Sequence, residues 1–139
     1  MTAKEYLKQY ENAEIRVRRL ESEYEKEELM IDAIRSSSHY EEAPITRTGG
    51  KKSTVEDKVI RLAEKHAKLL DARAQALEIR QTVFNTINAI PGAEGTVLFK
   101  KYIELKKWEV IAVEMNYSWG GIHQLHRRAL HLVAEAICV

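Results

Sequence analysis

An all-α fold is predicted by three features of this 139-residue sequence. Apolar residues recur every three or four positions over two stretches of about 35 residues each, the spacing that keeps one face of a helix apolar. Charged residues make up 31% of the chain against 45% hydrophobic, a balance that suits long amphipathic helices better than a packed sheet. Only two prolines and six glycines occur, and both prolines fall where the periodicity lapses.

The first stretch starts after Thr2, which with Glu5 has the spacing of a capping box, each side chain satisfying a backbone N–H that the first turn leaves free. Ala3, Tyr6, Tyr10, Ala13, Val17, Leu20, Tyr24, Glu27, Ile31 and Ile34 then alternate steps of three and four, with Glu27 the one polar member. Such a stripe faces a partner helix, so the three tyrosines on it are packing residues. Ser36-Ser37-Ser38 compete for backbone hydrogen bonds and end the helix. A flexible connection is predicted over about 36–52, where periodicity is absent and Pro44 and Gly49-Gly50 fall.

Ser53 and Glu56 repeat the capping spacing, and apolar residues recur from Val55 through Ile90. Each long helix spans about 50 Å at 1.5 Å per residue, and the two are expected to pair antiparallel as a coiled-coil hairpin over residues 1–90. The second helix carries apolar residues on two registers, Leu62, Leu69, Ala76, Val83 and Ala63, Leu70, Leu77, Phe84, which offers a surface for a homodimer through the hairpin.

Ile90-Pro91-Gly92 breaks the pattern, because a residue before proline avoids the helical region and glycine turns freely. Three shorter helices are predicted over residues 91–139. Val97, Leu98, Tyr102 and Ile103 outline the first, and Trp108, Ile111, Ala112 and Met115 the second. Ile122, Leu125, Ala129, Leu132, Val133 and Ala136 outline the third. The junction Ala112-Val113-Glu114-Met115-Asn116-Tyr117-Ser118 has the chemistry of a helix-turn-helix. Ala112 is small where two helices must touch, Asn116 accepts positive φ, and Ser118 caps the next helix.

Charge is distributed unevenly under a net value of +1. Residues 1–95 hold 16 Lys/Arg against 17 Asp/Glu, whereas residues 96–139 hold six against four. A mildly basic C-terminal segment permits binding to nucleic acid. The single cysteine, Cys138, excludes an intrachain disulfide. His123, His126 and His131 have no acidic or cysteine partner at ligand spacing, so no metal is expected and they are read as surface or DNA-facing residues. No cofactor motif is present, and neither a glycine-rich phosphate loop nor a nucleophile beside a base marks an enzyme. No apolar run approaches the roughly 18 residues of a membrane span, and a cytoplasmic location is expected.

The segment Val97–Val133, VLFKKYIELKKWEVIAVEMNYSWGGIHQLHRRALHLV, resembles the fourth region of bacterial sigma factors. It is most similar to small phage- and prophage-encoded regulators with a sigma-like C-terminal helix-turn-helix, the ArpU-type late regulators. The elements that carry the likeness are Lys101-Tyr102-Ile103, Trp108-Glu109 before Ile111-Ala112, Met115-Asn116-Tyr117-Ser118, and Ile122-His123 before Arg128-Ala129-Leu130. The resemblance implies a transcription regulator in a bacterial host cell that binds double-stranded DNA and contacts RNA polymerase. This chain departs from the pattern twice: Asn116 replaces the common glycine of the turn, and Gly120-Gly121 occupies the start of the third helix, where base-reading side chains usually stand. The glycine pair either lets the backbone approach DNA or weakens base reading.

If the third helix enters the major groove, Trp119, Gly120, His123 and Gln124 are the candidate base contacts, with Gln124 suited to adenine. Trp119 has an equal alternative in packing against the second helix. Lys106, Lys107, Ser118, Arg127 and Arg128 are the candidate phosphate contacts, Ser118 through its backbone N–H. Trp108, Ile111, Ile122, Leu125 and Ala129 are expected in the core. The competing reading is a protein-interaction module that uses the hairpin, such as an RNA-polymerase-binding or sigma-mimicking protein without DNA specificity.

Overall fold

The computed structural model describes residues 1–37 and 55–138. Among these residues the protein is all-α, with no strand. The helices are α1 (Ala3–Ser37), α2 (Val55–Asn88), α3 (Gly92–Leu98), α4 (Trp108–Met115) and α5 (Trp119–Ile137). A π-helical turn, Phe99–Ile103, continues α3. Most of the connection predicted over 36–52, and Ser53 of the second capping box, lie outside the described residues.

α1 starts where Thr2 predicts, its Oγ1 accepting from the Glu5 N–H at 3.1 Å. Every member of the predicted α1 stripe is buried or half-buried. Leu7 lies off that stripe and is nonetheless fully buried.

The chain forms two compact units, one of Arg16–Arg73 and one of Met1–Ile15 with Ala74–Val139. Within the first, α1 and α2 segments run antiparallel. Glu21 meets Arg73 at 2.6 Å, Glu27 meets Lys65 at 3.1 Å, and the Tyr24 and His66 rings lie 5.2 Å apart. Val17, Ile31, Leu69 and Ala72 are buried there. The Glu21–Arg73 pair is exposed and contributes about 0–1 kcal/mol, while Lys65 and Glu27 are partly buried beside the apolar contact that holds these segments together.

Within the second unit, one core joins Leu7, Val83, Ile87 and Ile90 to Val97, Leu98, Tyr102, Ile111, Ile122, Leu125, Ala129 and Val133. Pro91 therefore interrupts a helix without interrupting the packing. Burying each of the larger aliphatic side chains contributes about 1.5–3 kcal/mol. Tyr6 Oη and Thr86 Oγ1 share a hydrogen bond of 3.0 Å at the edge of this core. Gly95 brings α3 against the end of α2, since a Cβ there would run into the Ile90 carbonyl oxygen.

The first short helix differs from its predicted form. α3 begins at Gly92, whose φ is 78°, and its last turns widen. The Glu104 N–H reaches the Phe99 carbonyl and the Lys106 N–H reaches the Lys100 carbonyl, both at 3.0 Å. Leu105 takes a φ of 55°, a costly conformation for a branched side chain. The widened turn keeps both Tyr102 and Ile103 in the core, which a regular helical advance does not guarantee.

Candidate nucleic-acid interface

Three residues join α4 to α5. Asn116 ends α4 in the left-handed conformation (φ 59°, ψ 43°), and its N–H is directed to the Val113 carbonyl. The Tyr117 N–H reaches back to the Ala112 carbonyl at 2.9 Å, satisfying an acceptor that the helix end leaves free. Ser118 is extended, and its Oγ accepts from the Gly121 N–H at 3.0 Å. Ala112 is buried between the helices. Each follows from local chemistry: a short polar side chain tolerates positive φ, and a hydroxyl replaces a missing helical acceptor.

α5 is sharply two-sided. Ile122, Leu125, His126, Ala129 and Val133 are buried. On the opposite side Gly120, Gln124, Arg127 and His131 stand at steps of four, three and four, all exposed, with Trp119 and Arg128 at the margins. Trp119 is 57% exposed and meets the His123 ring edge-on at 4.6 Å. His123 also lies 4.8 Å from Trp108, and its Nε2 is buried without a hydrogen-bond partner among the described residues. Of the four candidate base contacts, Trp119, Gly120 and Gln124 are thus open to solvent, while the His123 ring is held between two tryptophans.

The two glycines have separate roles. A Cβ on Gly121 would sit 2.9 Å from the Ser118 Oγ and 3.4 Å from the Tyr117 ring, so this position makes room for the cap. A Cβ on Gly120 would meet nothing within 4 Å, so its backbone faces open space.

His126 corrects the surface reading of the histidines. It is 7% exposed, shares a 2.7 Å hydrogen bond through Nε2 with Tyr102 Oη, and lies edge-on to Trp108 at 4.6 Å. Burial, reinforced by Lys4, His123 and Lys101, lowers its pKa to about 4 and keeps it neutral. Burial, with a smaller effect from Glu11, pushes Tyr102 up to about 12. Spacing carries the signal: His126 stands four residues after Ile122 and three before Ala129, on the apolar face. His131 is exposed, and no metal-holding group of three or more His, Cys, Asp or Glu occurs among the described residues.

The candidate phosphate contacts differ in availability. Lys106 is 2.8 Å from Glu114 and 3.4 Å from Glu104, and Lys100 is 2.7 Å from the same Glu114. These lysines hold Glu114 below the usual carboxylate range, and Glu114 in turn raises Lys106. Lys107 is exposed at the start of α4. Arg128 is 60% exposed with Glu94 at 3.8 Å, and Arg127 is exposed with no ion pair among the described residues.

Sequence reading missed a second cationic group. Lys4 and Lys8 of α1 and Lys101 of the π turn, with Glu11 among them, line a cleft of about 300 Å³ beside Tyr102, Trp108 and His123. The Lys101 ammonium sits over the Trp108 ring at 5.1 Å. Lys4 and Lys8 share a helix face by their spacing of four, but only the fold brings that face to α5.

No helix among the described residues is long and apolar enough to cross a membrane. No protein family, curated protein or solved structure matches the chain.

Proposed function

We propose that the protein is a non-enzymatic, sequence-specific DNA-binding transcription regulator of the phage and prophage type, with α4 and α5 forming a helix-turn-helix. The single observation that carries the reading is the exposed polar face of α5, directly after a turn built by a left-handed Asn116 and a capping Ser118. Gln124 offers an amide to a base edge, and the open backbone at Gly120 permits close approach. Arg127, Arg128 and Lys107 supply charge for phosphates, and the Lys4, Lys8 and Lys101 cleft adds more beside His123. His123 positions Trp119 rather than reading a base itself. The resemblance to sigma-factor region four extends the reading to contact with RNA polymerase in the bacterial cytoplasm.

The test is fluorescence-anisotropy titration of duplex DNA at increasing salt. Wild type binds with log affinity falling linearly in log salt, and Arg127→Ala/Arg128→Ala loses about two phosphate contacts and flattens the slope by about 2. Affinity independent of both salt and these arginines contradicts the reading.

A second reading, an interaction module without DNA specificity, is favoured by Val110 and Val113, which are 43% and 76% exposed on the outer side of α4. It predicts a polymerase complex that survives the arginine change.

A further inference from the structure

Two apolar stripes run along α2, and the described residues cover only one of them. Leu69, Ala72, Ala76 and Val83 are buried. On another side of the same continuous helix, Ile60, Ala63, Ala67, Leu70, Ala74 and Leu77 follow steps of three and four without a polar interruption, and all six are exposed. Ile60 is 60%, Leu70 49% and Leu77 67% exposed. The stripe ends at Gln81, and Phe84 beyond it turns to Phe99, with ring centroids 6.0 Å apart. Alternating three- and four-residue spacing is the seam of a coiled coil. A helix buried on one side only does not need it.

We infer that this seam is where a second copy of the chain docks, α2 against α2, in parallel. The flanking charges select both the partner and the direction. Taking Ile60, Ala67 and Ala74 as the a positions, the e positions are Glu64, Asp71 and Glu78, all acidic. The later g positions are His66, Arg73 and Arg80. In a parallel pair, each g residue meets the e residue five positions later on the other helix, which sets Arg73 beside Glu78. An antiparallel pair would set e against e and g against g, acid beside acid and base beside base. Arg73 already meets Glu21 of its own chain, and its guanidinium has further donors for a second carboxylate. Three of the six seam residues are alanines, which allow close approach but bury little area. The pair therefore belongs to the small end of interfaces. The inference does not depend on DNA binding; a parallel pair would bring the C-terminal ends of both α2 helices together, as two half-sites require.

Sedimentation velocity across the micromolar range, on the full chain, is the primary test, with helicity by circular dichroism as the folding control. The expected result is a monomer–dimer equilibrium that Leu70→Glu weakens at least ten-fold without loss of helicity, since Leu70 is exposed within one chain. Glu78→Lys reads the direction: it weakens a parallel dimer by facing Arg73, and it strengthens an antiparallel one by relieving acid against acid. In a Cys138→Ser background, Leu77→Cys cross-links to itself under mild oxidation in a parallel pair. A monomer throughout the range, or a dimer indifferent to Leu70→Glu, overturns the seam as a site for a second copy. A dimer strengthened by Glu78→Lys overturns its direction.

Discussion

The Ser118 hydroxyl and the Gly121 backbone define one another: Oγ accepts from the Gly121 N–H at 3.0 Å, and a Cβ on Gly121 would stand 2.9 Å from that oxygen. The adjacent glycine has no such constraint. Gly120→Ala should stabilise the fold by up to about 1 kcal/mol, the usual gain of alanine over glycine in a helix. Gly121→Ala displaces the cap and should lie about 1 kcal/mol below Gly120→Ala. Thermal denaturation of both variants measures the difference. If the Gly120 backbone approaches DNA, Gly120→Ala weakens duplex binding while raising the melting temperature.

A buried neutral histidine makes stability depend on pH. The His126 pKa falls from 6.5 to about 4 on folding, so its contribution is fully present above pH 6.5 and is lost as pH falls toward 4. The loss across that window is of the order of 3 kcal/mol. Urea denaturation at a series of pH values should show it, and His126→Phe should flatten the profile. Glu114, whose depressed pKa begins to matter only below 4.5, leaves the upper part of the window to His126. Tyr102→Phe removes the partner at 2.7 Å and should cost about 1–3 kcal/mol at neutral pH.

Glu114 restrains two lysines close to the proposed interface, Lys100 at 2.7 Å and Lys106 at 2.8 Å. Glu114→Gln should free Lys100, leave Lys106 held only by Glu104 at 3.4 Å, and tighten duplex binding at low salt. The slope of log affinity against log salt should steepen by about 1–2 if the freed ammonium groups reach phosphates. Anisotropy titration at several salt concentrations reads both effects, and an unchanged slope places these lysines outside the interface.

Local chemistry was legible in the sequence and tertiary chemistry was not. The start of α1 at Thr2, the break at Pro91, the left-handed Asn116 and the Ser118 cap each depend on residues within one or two turns. Helical spacing identified the apolar stripe of α1 and most of the buried face of α5, although Leu132 and Ala136, which the spacing placed with that face, are exposed. It did not show that Leu7, off the stripe, joins the C-terminal core, because that depends on which elements meet. The pairing of Tyr102 with His126 joins residues 24 apart and relies on a π turn that no simple period encodes. Lys4 and Lys8 escaped notice as site residues for the same reason. The paired registers of α2 were visible as pattern, yet only burial distinguishes the covered stripe from the open one.

The central claim is that the exposed face of α5 reads DNA sequence. Its most direct test is selection of bound fragments from random duplexes by the wild-type protein and by Arg127→Ala/Arg128→Ala, each verified as folded. Enrichment of one motif by the wild type, lost in the variant, is the predicted result. Equal recovery of all sequences by both proteins, at low and at moderate salt, would contradict it.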